Sequence, residues 1–324
     1  MSTILSRTGS RGGSTAHPDL SLLTKVARLY YEEDLSQREI AARLQMSRPT
    51  VCRLIKRAKE SGLVRISIVS PVRQCSALEI GLEKRFGLRQ AVVVTAQGVE
   101  PKQAIAGAAA DLLVRIIKPD DVVAVSWGST LRAVVDALKP VKVKGVTAVP
   151  LIGGAGNTSM EVHSNSIAVD LARKLGGSWR VLYAPAVVGS AELRDAIVDD
   201  PNIKEVLDTA RAADIAMVGV GVPVETSTMV KTGYLKPEQI RELRDHGAVG
   251  HISWFYDIDG KICDAEVNRR IVGLPLREFK GIKRVIAVAA GPGKVESIRG
   301  ALRGGFCDTL VTDDRTAESI LKGS

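Results

Sequence analysis

From residue 75 onward, short continuous apolar runs alternate with stretches of helical spacing, and this alternation narrows the possible folds more than any other feature. The runs fall at 91–95, 122–126, 146–151, 180–183, 215–220, 248–253 and 284–289. Between them lie helical faces such as Ile105/Ala108/Ala109/Leu112/Ile116, Leu131/Val134/Val135/Leu138, Ile203/Val206/Leu207/Ala210 and Val295/Ile298/Leu302. A further helix is expected over 163–175. Uninterrupted Val/Ile/Ala strands have no polar face to show to water, so helices must cover them on both sides. The expectation is an α/β domain with a mostly parallel sheet over 71–324.

Residues 20–70 have a different pattern, read as an all-helical domain. Leu22, Leu23, Val26, Ala27 and Tyr30 recur at helical spacing. Ser36 with Glu39 three residues later is a capping box, and Ile40, Ala41 and Leu44 form the inner face of that helix. Ser47 caps a third helix with Val51, Leu54, Ile55 and Ala58 inside, ended by Gly62. A strand over 64–70 would make a wing or an exit, and Pro71 marks the boundary. Residues 1–19, rich in Ser, Gly, Thr and Arg, read as a disordered tail.

Charge separates the two regions further. The net charge is +9, from 45 Lys+Arg and 36 Asp+Glu. Residues 1–70 hold 12 basic and 6 acidic side chains, so +6 of the excess lies in about a fifth of the chain. Such asymmetry suits a polyanion-binding segment attached to a near-neutral domain. No run approaches the roughly 18 apolar residues of a membrane span, and no secretion signal is read, so a cytoplasmic protein is expected. Cys52, Cys75, Cys263 and Cys307 make no CxxC pair, and the four histidines make no HExxH, so neither a metal nor another cofactor is expected. No nucleophile–base pair is evident from spacing, and no catalytic residue is assigned. Spacing alone leaves an enzyme open.

Two helices joined by a short turn, 37–44 and 48–61, have helix-turn-helix spacing, with the second helix expected in the major groove of double-stranded DNA. With its apolar positions inward, Arg48, Thr50, Arg53 and Arg57 face outward. An arginine fork can donate twice to guanine. Lys56 and Arg57 sit later on the helix and suit phosphates, as do Gln37 and Arg38 at the start of the preceding helix. Gln45, in the turn, is often Gly in such motifs because φ > 0 is needed there.

In the larger domain, Gly128, Ser129 and Thr130 follow a strand and open a helix, a turn that presents free amides to an anion. The spacing is not that of a Walker loop, and an ordinary capped turn is the alternative. Gly153 and Gly154 follow the next strand in the same manner, and Lys294 follows a Gly-Pro-Gly turn after the strand at 284–289. Asn165 lies on the 163–175 helix, where it can reach a sugar hydroxyl, cap the helix or face solvent. Ligands of open parallel sheets sit at the carboxyl ends of the strands, where these loops lie.

The stretch LSQREIAARLQMSRPTVCRLIKRAKESGLV (35–64), with WGSTL (127–131), PLIGGAGN (150–157), NSIAVDLARKLGG (165–177), GAVGHISWFYDIDG (247–260) and AVAAGPGKVESIRGALRGGFCDTLVTDDRTA (287–317), resembles the SorC/DeoR-type sugar-binding transcriptional regulators. The resemblance implies a winged helix-turn-helix joined to an effector domain of the NagB/RpiA/CoA-transferase type, assembled as a homodimer or homotetramer. It also implies a sugar, polyol or sugar-phosphate effector. Gly128, Ser129 and Thr130 would hold a phosphate, and Gly153, Gly154, Asn165 and Lys294 would line the pocket. The chain departs from the family pattern at His251, where members usually carry Asp. A carboxylate only accepts from hydroxyls, whereas neutral imidazole offers one donor and one acceptor, so the departure implies a different ligand. A core histidine is the ordinary alternative. A sugar-phosphate isomerase with an appended DNA-binding module is the alternative for the whole chain.

Overall fold

A computed structural model describes residues 20–64, 73–96, 98, 100–154, 163–231 and 233–323. The chain divides into two compact units, 1–71 and 72–324. The tail expected over 1–19, and the strand over 64–70 from residue 65 on, lie outside the described residues.

In the first unit, α1 (Leu20–Tyr31), α2 (Gln37–Arg43) and α3 (Arg48–Glu60) close over Leu23, Val26, Ile40, Val51, Leu54, Ile55 and Ala58. Each fully buried Val, Leu or Ile stabilises by roughly 1.5–3 kcal/mol, which is what holds such a small unit together. The capping box forms as the sequence expects. The Glu39 amide donates to Ser36 Oγ at 3.3 Å, and the Ser36 amide donates to Glu39 Oε2 at 2.8 Å. Ser47 Oγ accepts from the Thr50 amide at 3.3 Å, starting α3. Between the two helices Gln45 has φ +52°, the left-handed conformation expected of that turn.

In the second unit the strands are β1 (Gln90–Val94), β2 (Val122–Val125), β3 (Thr147–Pro150), β4 (Ser178–Trp179), β5 (Ile215–Gly219), β6 (Gly250–Ile252), β7 (Trp254–Tyr256), β8 (Val285–Val288) and β9 (Thr309–Asp313). Seven form one sheet in the order β1-β9-β8-β5-β2-β3-β4, and every pairing in it is parallel. The helices are α4 (Arg73–Phe86), α5 (Pro101–Ile116), α6 (Ser129–Ala137), α7 (Ser164–Leu175), α8 (Ala191–Val198), α9 (Pro201–Arg211), α10 (Thr228–Lys231), α11 (Pro237–Asp245), α12 (Glu266–Arg269), α13 (Val295–Arg303) and α14 (Asp314–Lys322). Alternate strand residues face opposite layers. Val123, Val125, Ile215 and Met217 pack beneath α5, α6 and α7. Ala124, Ala216 and Val218 pack beneath α4, α9, α13 and α14. The first strand is held by the last, since β1 pairs with β9 along its whole length, and helices α4 and α14 are tied where Arg85 Nη1 donates to the Leu321 carbonyl at 2.6 Å.

Two of the expected strands are corrected. The run at 248–253 contributes β6 to an antiparallel hairpin with β7, outside the large sheet. Strand β4 stops at Trp179, before the run at 180–183 begins, and there Asn165 holds both backbone groups of Leu182. A short apolar run has the same composition in either setting, so periodicity does not separate them.

The chain leaves β2 toward β3 and β4 on one side, then returns to β5 and continues to β8 and β9 on the other. The order therefore reverses between β2 and β5, which opens a crevice at the carboxyl ends of those strands.

Candidate functional site

On the first unit, Arg38, Arg48, Arg53, Lys56 and Arg57 are exposed, and Gln37 and Thr50 are half-buried. Among the described residues no carboxylate pairs with Arg38, Arg48, Arg53 or Arg57, whereas Lys56 reaches Glu60 at 3.7 Å. The arginines of α3 thus present unneutralised charge. Thr50 also serves the cap, its hydroxyl lying 2.7 Å from Ser47 Oγ.

On the second unit, a cleft of about 100 Å³ sits at the crevice between β2 and β5. It is lined by Ser126, Trp127, Gly128, Ser129, Thr130, Gly219, Val220, Gly221, His251, Ser253 and Lys294. Five residues chosen from sequence meet there: Gly128, Ser129, Thr130, His251 and Lys294. Gly128 has φ +114°, which a side chain would strain, and no side chain caps α6 behind it. The amides of the first turn of α6 therefore lack a side-chain acceptor, and Thr130 adds a buried hydroxyl. The turn before α13 repeats the geometry, with Gly291 at φ +113°. Its amide is fixed by Thr316 Oγ1 at 2.8 Å and Asp313 Oδ2 at 3.2 Å, and Lys294 ends that turn at the cleft.

The His251 ring is seated by its neighbours. The His251 amide donates to the Gly221 carbonyl at 3.1 Å, the Gly221 amide donates back at 2.9 Å, and Phe255 lies 5.0 Å from the ring. A Cβ at Gly221 would stand 2.2 Å from His251 Nε2, so only glycine leaves room for the ring. Burial, with the Lys294 ammonium nearby, pushes the imidazole down to about 4, so it is neutral at pH 7. Burial and the neighbouring Lys102 also lower Lys294.

Gly153, Gly154 and Asn165 do not line this cleft. The Gly153 amide donates to the Val272 carbonyl at 2.9 Å and the Gly154 amide to the Ala184 carbonyl at 2.8 Å. Asn165 accepts from the Leu182 amide at 2.9 Å and donates to its carbonyl at 3.0 Å. These residues clamp neighbouring loops through backbone hydrogen bonds. The remainder of that loop, 155–162, is outside the described residues.

Sequence reasoning did not single out Gly219, Gly221 and Ser253, which line the cleft. The Gly-Val-Gly following the apolar run of β5 is a usable signal, of the same kind as Trp-Gly-Ser-Thr after β2. Ser253, at φ +69°, has no such signal. Among the described residues, no helix is long and apolar enough to cross a membrane, and no cluster of His, Cys, Asp or Glu is placed to hold a metal.

Residues 70–322 match the sugar-binding domain family, and residues 27–70 match the MarR family. The deoxyribonucleoside regulator of Bacillus subtilis is 34% identical over 93% of this chain and 97% of its own. The sorbitol operon regulator of Klebsiella pneumoniae is 31% identical over 94% of this chain and 98% of its own. The crystal structure of that full-length regulator, SorC, superposes with a TM-score of 0.74, covering 94% of this chain and 99% of that one. With a sugar-binding domain spanning most of its length and regulators aligned nearly end to end, the chain belongs to the SorC/DeoR-type sugar-binding transcriptional regulators.

Proposed function

We propose that this protein is an operator-binding transcriptional regulator whose grip on DNA is altered by a phosphorylated sugar or polyol held in the cleft of the second unit. The observation that carries the effector reading is the uncapped start of α6 gathered into one cleft with Thr130 and Lys294. Free helix-start amides, a hydroxyl and an ammonium are what a phosphate monoester requires. On the DNA side, Arg48 and Arg53 read base edges while Lys56, Arg57, Gln37 and Arg38 hold phosphates, and the methyl of Thr50 is available to a thymine. The protein acts in the cytoplasm as a homodimer or homotetramer, so that two copies of α3 meet the halves of a palindromic site. The effector shifts occupancy by binding one arrangement of the assembly more tightly than the other.

Gel-shift titration of the native promoter tests the first half. Arg53→Ala is expected to weaken binding by about 1–3 kcal/mol, and unchanged affinity overturns the groove assignment. The double variant Thr130→Ala, Lys294→Ala tests the second half. It should bind the promoter as before yet no longer respond to sugar phosphates. Loss of promoter binding would instead assign these residues a structural role.

A further inference from the structure

The cleft has two ends that favour an anion. At one, the first turn of α6 offers its uncapped amides with the hydroxyls of Ser129 and Thr130. At the other stand Lys294 and His251, with Lys102 close enough to depress the Lys294 ammonium. The strands that deliver these ends, β2 and β8, both pair with β5. Neighbouring strands lie about 4.8 Å apart, so the two turns are separated by roughly 10 Å, the reach of an extended sugar chain carrying an anion at each end.

Among the described residues lining the cleft there is no Asp or Glu. A neutral polyol brings many hydroxyl donors and is best received by carboxylates, which this wall lacks, its side-chain acceptors being hydroxyls and one imidazole nitrogen. Lys294 is half-buried, and among the described residues no carboxylate pairs with it. A half-buried ammonium that faces no carboxylate is open to a counter-charge brought by a ligand. The second end also differs from the first in kind. The Gly291 amide is already committed to Asp313 and Thr316, and Pro292 has no N–H to give. Few amides remain there for a three-oxygen phosphate. An ammonium and one imidazole N–H match the two oxygens of a carboxylate.

We propose that the effector is a phosphorylated sugar acid, its phosphate at the start of α6 and its carboxylate against Lys294 and His251. The proposal rests on the reading of this cleft as a phosphate-ester site and specifies the other end of the ligand. His251 and Lys294 are then the residues that select an acid over an alcohol.

Calorimetric titration of the full chain with matched compounds tests this. The set is 6-phosphogluconate and glucitol 6-phosphate, 5-phosphoribonate and ribitol 5-phosphate, gluconate, and fructose 1,6-bisphosphate. In at least one matched pair the acid should bind about tenfold or more tightly than the alcohol, one charge-assisted contact being worth that much. That ratio should fall toward one in Lys294→Met and in His251→Gln. It should fall by a smaller factor in Lys102→Gln, an exposed position where folding is not at stake. Equal or tighter binding of the alcohols, or tightest binding of the bisphosphate, overturns the carboxylate assignment and leaves the phosphate-ester reading intact. Equal binding of unphosphorylated gluconate, or no binding by any phosphate ester, overturns both.

Discussion

Gln45 holds φ +52° without being glycine, a conformation that costs an L-residue roughly 1–2 kcal/mol. Gln45→Gly is expected to relieve part of this and stabilise the first unit by about 1 kcal/mol after the added freedom of the unfolded chain is subtracted. A denaturation midpoint that falls on this substitution would contradict the account. His251 makes a pH-dependent contribution. Its folded value of about 4 lies below the ordinary 6.5, so the unfolded chain takes up that proton first. The stability tied to neutral imidazole is complete above pH 6.5 and declines as pH falls toward 4. Melting temperatures of His251→Gln should therefore drop less steeply across that window than those of the parent chain. At this scale the sequence was only partly legible. The need for a left-handed turn at Gln45 could be read from helix spacing. The partners of Gly153 and Asn165 could not, because a loop glycine or a helix asparagine carries no mark of the backbone it meets, here that of 182–185 and 272.

Caps and strand ends decide how the elements present their side chains. Ser47 starts α3 and orients the Arg48–Arg57 face, so Ser47→Ala should cost about 1 kcal/mol of stability and weaken operator binding in parallel, as read by melting and gel shift together. Thr316 has the same office for the cleft. It bridges the buried Asp313 carboxylate to the Gly291 amide and so fixes the turn that carries Lys294. Thr316→Val leaves that amide only its longer bond to Asp313 and takes a hydroxyl donor from the buried carboxylate, at a cost of about 1–3 kcal/mol, and should reduce the melting shift produced by an added phosphate ester. If the shift is undiminished, the turn is held by other contacts. Most strands of the large sheet were readable as apolar runs. Strand β9 was not, because its sequence TLVTD ends in polar residues although all five are buried. Asp313 is retained inside by its work as the cap of α14, and the Thr309 hydroxyl donates to Asp308 Oδ1 at 2.6 Å.

For the whole molecule, charge asymmetry predicts the salt response. Operator affinity should fall linearly on a log–log plot against salt, and Arg57→Ala should flatten the slope by about 1, the loss of one phosphate contact. An unchanged slope would remove Arg57 from the DNA backbone. The division into a charged helical front and an α/β rear was legible because it depends on average charge and on period, which survive without knowledge of contacts. The meeting of β2, β5 and β8 loops in one cleft was less so. Sheet order is set by long-range pairing, which leaves no local mark at residues 128, 221 or 294.

The closing of β1 by β9 has a consequence for biosynthesis. Gln90 finds its neighbour only when Thr309 has been made, so the earliest strand of the sheet must wait, unpaired, until every other strand of that sheet has been synthesised. Until then a row of Val side chains and open amides is exposed to other nascent chains. A chain halted after residue 308 should accumulate as aggregates, whereas one that includes β9 and α14 should be recovered soluble.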